Sequence, residues 1–117
     1  MGIERMEITK IIERFELVEE KFCIAISGLY ATGYPSRVNG GSLCHVEIKF
    51  DLISLRKGGK MKRDFWVNAS AYNTAGQLLE ARSERICAKT FMGFQPISID
   101  LSDLLQAPTK IRLFPLA

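Results

Sequence analysis

The sequence predicts an all-β fold: a single-domain antiparallel β-sandwich of about seven strands covering residues 1–117. Three observations predict it. Apolar and polar residues alternate over nine consecutive positions from Cys44 to Leu52, the mark of a half-buried strand. Turn-forming residues recur between segments rich in Ile, Val, Phe and Leu: Gly33-Tyr34-Pro35-Ser36, Asn39-Gly40-Gly41, Gly58-Gly59, Asn73-Thr74-Ala75-Gly76, Gly93 and Pro108. The chain of 117 residues, 47% hydrophobic and 25% charged, has the composition of an ordinary globule with one core. No run approaches the ~20 apolar residues of a membrane span.

The N-terminal third carries two patterns. Ile8, Ile11, Ile12 and Phe15 have helical spacing, but the stretch is rich in β-branched residues, and residues 4–15 are expected as strand. Phe15 to Phe22 reads as a hairpin. Phe22 to Ala31 reads as a buried strand, with Gly28 marking a bulge or a close approach.

The clearest strand runs from Leu43 to Lys57. Cys44, Val46, Ile48, Phe50 and Leu52 form its apolar face, and His45, Glu47, Lys49 and Asp51 its polar face. Gly58-Gly59 suits a type I′ turn, which needs positive φ at both central positions. A two-residue hairpin then sets Leu52 opposite Phe65, Phe50 opposite Val67, Ile48 opposite Ala69 and Val46 opposite Ala71. Thr74-Ala75-Gly76 predicts a second, three-residue hairpin loop with Gly76 left-handed. That loop sets Asn73 opposite Gln77, Ala71 opposite Leu79 and Ala69 opposite Ala81, with Leu78, Glu80, Arg82 and Glu84 on the outer side. Arg85 would then fall on the core side, so a bulge or strand end is expected near Ser83. Ile97, Ile99 and Leu101 predict another strand. Ser102 is a candidate cap for a single helical turn over 102–106, ended by Pro108. Ile111 and Leu113 predict the last strand.

The stretch Val-x-Ala-x-Ala-Tyr-Asn-x-x-Gly-Gln-Leu-Leu, carried by Val67, Ala69, Ala71, Tyr72, Asn73, Gly76 and Leu79, resembles a hairpin of small bacterial immunoglobulin-like β-sandwich domains. Gly28, after Ile24 and Ile26, matches the glycine that often closes an early strand there. The resemblance covers about half of the chain. It implies an immunoglobulin-like sandwich acting as a binding or adaptor module outside the cytoplasm. The N-terminal Glu4, Arg5, Glu7 and Lys10 depart from a secretory pattern, and a cytoplasmic location is the expectation from the residues themselves.

Chemistry is sparse. The sequence holds no phosphate-binding glycine loop and no Gly-x-Ser-x-Gly elbow. Cys23, Cys44 and Cys87 are widely separated, which suits reduced, buried thiols better than a disulfide framework. They and His45 lack metal-ligand spacing, so no metal and no cofactor are expected. The predicted meander aligns outer rows His45–Tyr72–Leu78, Glu47–Ser70–Glu80, Lys49–Asn68–Arg82 and Asp51–Trp66–Glu84. A non-enzymatic binding module follows, with Trp66, Asn68, Ser70, Tyr72, Glu80 and Arg82 as its binding face. Trp66 and Tyr72 are the anchors. With a mean hydropathy of +0.05 and exposed Leu78, Trp66 and Phe114, the partner is expected to be a protein or a second copy of the chain.

The alternative is a small β-barrel that holds a single-stranded nucleic acid or another polyanion through a basic hairpin of Arg56, Lys57, Lys60, Lys62 and Arg63. A net charge of +3 is too small to imply nucleic acid or an anionic membrane by itself, and nucleic acid is the less favoured partner. The weakest reading is a small hydrolase using Glu47, Ser70 and Glu80, because so short a domain offers little cleft.

Overall fold

The computed structural model describes residues 5–35 and 43–117. In chain order they form β1 (Met6–Glu7), β2 (Ile12–Arg14), helix α1 (Glu16–Lys21), β3 (Ile24–Pro35), β4 (Leu43–Ser54), β5 (Phe65–Tyr72), β6 (Leu78–Ile86), β7 (Phe94–Leu101) and β8 (Lys110–Leu116). Two four-stranded sheets result, in the orders β1-β3-β4-β7 and β2-β8-β5-β6. The expectation of an all-β sandwich holds, with eight strands among the described residues. One pairing departs from the antiparallel rule: β2 runs parallel to β8. The twelve-residue strands β3 and β4 make the sandwich long, 49 × 31 × 20 Å.

The core is the sum of the inner faces. Val46, Ile48, Phe50 and Leu52 of β4 are buried, as are Ile97, Ile99 and Leu101 of β7 beside them. From the second sheet come Phe65, Val67, Ala69 and Ala71 of β5 and Ile111 and Leu113 of β8. Each of these sets alternates with outward residues, as strand geometry requires. The predicted partnership between β4 and β5 is corrected. They belong to opposite sheets, and β5 pairs instead with β8 and β6. Their apolar faces meet across the interior, not side by side. Gly58 and Gly59 do have positive φ, 79° and 69°, but inside a ten-residue crossing loop over residues 55–64. Ser54 shapes that loop: its hydroxyl donates to the Lys60 carbonyl (2.8 Å) and accepts from the Arg56 N–H (3.2 Å).

The second predicted hairpin forms. Gly76 has φ 78°, the Asn73 N–H donates to the Gln77 carbonyl, and the Gln77 N–H donates to Asn73 Oδ1. Beyond it the register departs from expectation. Tyr72 pairs with Leu78, then a bulge makes Ala71 pair with Glu80 and Ala69 with Arg82. The extra residue reverses the faces of β6. Glu80, Arg82 and Glu84 turn to the core side, and Ala81, Ser83 and Arg85 outward. The predicted break near Ser83 is absent, and β6 runs on to a buried Ile86. Charges tolerate this direction because β6 is an edge strand. Inward charges on an edge also discourage another chain from adding to it.

The N-terminal segment mixes the predicted states. β1 joins the first sheet, a short 3-10 turn follows at Thr9–Ile11, and β2 joins the second sheet. The hairpin expected over 15–22 is corrected to α1. Its sequence, Glu-Leu-Val-Glu-Glu-Lys, favours helix, with Glu16 and Glu19 in the first turn and Lys21 in the last. Arg14 of β2 donates twice to the buried Glu19, at 2.7 and 3.2 Å. That bond holds the Arg14 guanidinium above its ordinary pKa. Cys23, just past the helix, has φ 56°, a left-handed position usually given to Gly or Asn.

Three smaller expectations also meet the structure. Gly28 has φ 64° and sits in a bulge of β3, between Ser27 and Tyr30. The turn expected at Gly33–Ser36 is corrected: Gly33, Tyr34 and Pro35 continue β3, and Ser36 and Asn39-Gly40-Gly41 lie outside the described residues. The helical turn over 102–106 does not form. There the Asp103 N–H donates to Glu80 Oε1 (2.9 Å), and Leu104 is driven into the core.

Candidate functional site

Four of the six residues predicted as a binding face do share one side of the second sheet, but Asn68 and Ser70 are buried there, Tyr72 is half-buried and Trp66 is exposed. Trp66, Asn68, Ser70 and Tyr72 alternate on β5 and look outward from the second sheet. Their neighbours on β8 are Leu116, Phe114, Arg112 and Lys110, and on β6 Arg85, Ser83, Ala81 and Leu78. Glu80 and Arg82 are not among them, because the bulge turns them to the opposite side of β6. There Arg82 bonds Glu80 (3.0 Å) and Asp103 (3.2 Å).

Several polar groups of this face bond within the chain. Asn68 Nδ2 donates to Ser70 Oγ at 2.7 Å, and Ser83 Oγ donates to Asn68 Oδ1 at 3.1 Å. Arg112 bonds Glu13 and lies over the Tyr72 ring, 5.1 Å from its centroid. Phe114 packs on Phe15 with ring centroids 5.7 Å apart. Only Trp66 (41% exposed) and Leu78 (58%) stand out as large exposed apolar groups.

The outer rows predicted across β4, β5 and β6 do not exist. His45, Glu47, Lys49 and Asp51 are on the outer face of the first sheet, away from Ser70 and Glu80. His45 stacks beside Tyr34, not Tyr72, with its Nε2 3.9 Å from Asp100. Lys49 is paired with Glu47 at 2.8 Å. Glu47 and Glu80 thus lie on different sheets, and the carboxylate pair behind the hydrolase reading is dissolved. An open depression of about 270 Å³ beside Gly28, Asp51 and Pro96 is bordered by that already paired Lys49.

The crossing loop is a different surface. Five of its ten residues, Arg56, Lys57, Lys60, Lys62 and Arg63, are cationic and all are exposed. Its one carboxylate, Asp64, is turned away to the Ala88 N–H (2.8 Å) and to Arg85 (2.8 Å). Those two bonds, the backbone one first, hold Asp64 below its ordinary pKa. Lys21, at the end of α1, joins the group from a distant part of the chain. Among the described residues, none of these six cations forms an ion pair.

Lys21, Arg56, Lys62 and Arg63 surround a cavity of about 230 Å³. Phe22, Met61 and Phe65 supply its apolar wall, with the Phe22 and Phe65 rings 5.5 Å apart. Lys57 and Lys60 lie outside it. Sequence reasoning found the loop cations but not Lys21 or Phe22, because nothing local links residues 21–22 to 56–65. The Leu55 N–H donates to the Cys23 carbonyl at 2.8 Å, and that contact brings the two stretches together.

Among the described residues, no group of three or more metal-ligating side chains converges. Cys23 and Cys87 are free thiols. In comparisons with known proteins the chain matches no family model, no curated protein and no solved structure.

Proposed function

We propose that this protein is a non-enzymatic binding module whose ligand is an anion held at the basic end of the sandwich. The observation that supports this reading is the contrast between its two candidate surfaces. On the face of β5 Asn68, Ser70, Ser83, Arg85 and Arg112 already have partners in the chain. Around the crossing loop, six cations border or flank a cavity, and the only nearby loop carboxylate is tied elsewhere. Like charges held this close raise the energy of the empty site, and an anion relieves it. The loop is held in place by Ser54 and by the glycine contact described below, so its cations are gathered before any ligand arrives.

A labelled single-stranded oligonucleotide is a convenient polyanionic probe. Its fluorescence anisotropy should rise with protein at low salt and fall as salt is added, because bound counterions are released on association. The double substitution Arg56→Glu, Arg63→Glu should abolish the rise. Absence of binding at low salt, or binding that the double variant keeps, overturns the proposal.

Self-association is a second reading. Trp66, Leu78 and Leu105 are exposed apolar side chains available to a second copy. Sedimentation velocity at micromolar concentration should then show a concentration-dependent dimer, and a strict monomer argues against it.

A further inference from the structure

We propose that the basic end of the sandwich docks on the surface of an anionic lipid bilayer. The proposal rests on the anion-binding reading and names its partner.

It begins from three exposed apolar side chains that no element covers. Leu55 is 59% exposed, Met92 87% and Phe94 61%. Exposed apolar residues scattered singly need no explanation. These three are gathered. Phe94 pairs with Ile53, and the Ser54 N–H donates to the Gly93 carbonyl at 3.0 Å, so residues 92–94 lie alongside 53–55. They also abut the basic loop. A Cβ built on Gly59 would stand 2.7 Å from the Gly93 Cα, which means the two backbones touch. Lys57 and Lys60 flank one side of that contact, and Met92 and Phe94 flank the other.

One end of the molecule therefore combines protruding apolar side chains with cations that have no ion-pair partner among the described residues. Each feature matches one layer of a bilayer surface. Apolar side chains gain by entering the boundary between headgroups and acyl chains, and Lys and Arg gain from anionic headgroups. Association of this kind is peripheral: no described helix is long and apolar enough to cross a membrane. A single-stranded nucleic acid fits the same cations less well, since of the three apolar side chains Phe94 alone offers a ring on which a base stacks. The modest net charge is no obstacle, because the field at a surface depends on where charges cluster.

The test is co-sedimentation of the full 117-residue chain with vesicles of phosphatidylcholine alone and of phosphatidylcholine with phosphatidylserine. Binding is expected only with phosphatidylserine and should weaken with salt. Two double variants, Met92→Ser with Phe94→Ser and Lys62→Glu with Arg63→Glu, should each lower the partition on the order of tenfold or more. All four positions are exposed, and thermal unfolding of each variant checks that it folds. Equal binding to both vesicles, or phosphatidylserine binding that the serine variant keeps, overturns the docking surface. If vesicles are not bound but the oligonucleotide is, the bilayer inference falls and the anion reading stands. If neither is bound, both fall.

Discussion

Gly58 and Gly59 are neighbours in one turn, both with positive φ, yet they carry different loads. A Cβ on Gly58 meets nothing within 4 Å, so Gly58→Ala should cost only left-handed strain, about 1–2 kcal/mol. Gly59→Ala suffers the same strain and also drives a methyl into the backbone of Gly93. Its cost in urea denaturation should be clearly larger, and it should weaken binding at the basic end. Equal costs for the two would show that the Gly59–Gly93 contact is dispensable. The sequence identified both residues as turn glycines, since positive φ is a local demand. It did not identify Gly93 as a partner, because that contact joins residues far apart in the chain. Cys23 was illegible for the opposite reason: nothing in a cysteine announces a left-handed backbone.

At the scale of elements, the crossing loop is a tethered unit. One tether is Asp64, whose carboxylate accepts from the Ala88 N–H and pairs with Arg85. Its folded pKa lies below the ordinary value of 3.8, so the unfolded chain takes up the proton first. The stability it supplies is complete above that ordinary value and is lost as pH falls through the lowered one. Urea unfolding between neutral pH and strong acid should show this loss in the native chain. The same series on Asp64→Ala should lack that component. Identical acid profiles would remove Asp64 as a tether. The β5–β6 hairpin teaches a related lesson. Its loop was legible to the residue, down to Asn73 opposite Gln77. The bulge after Tyr72 was not, and one extra residue exchanged the two faces of β6. Glu80 and Arg82 left the candidate binding face by that single step.

At the scale of the whole molecule, the decisive fact is which sheet each strand joins. Nuclear Overhauser spectra should show backbone proton contacts between Ala69 and Leu113, which pair across β5 and β8. They should show none between Ile48 and Ala69, whose strands lie in facing sheets about 10 Å apart. A strong Ile48–Ala69 backbone contact would restore the simple meander and remove the sandwich arrangement described here. The same topology gathers the starts of β3, β5 and β7 with the end of β4, and so assembles the basic end from Lys21, the crossing loop and residues 92–94.

The sequence by itself determined the all-β class, most strands, the inner faces of β4, β5, β7 and β8, and the left-handed glycines at 58, 59 and 76. Alternation and left-handed φ are properties of a few adjacent residues, so they are written locally. Tertiary structure alone decided that β4 and β5 face each other instead of pairing, and that the cations of the crossing loop meet Lys21, Leu55, Met92 and Phe94. An apolar strand face is equally well buried beside a neighbour in its own sheet or opposite one in the next. The choice is made by the sum of distant contacts, which no short stretch of sequence contains.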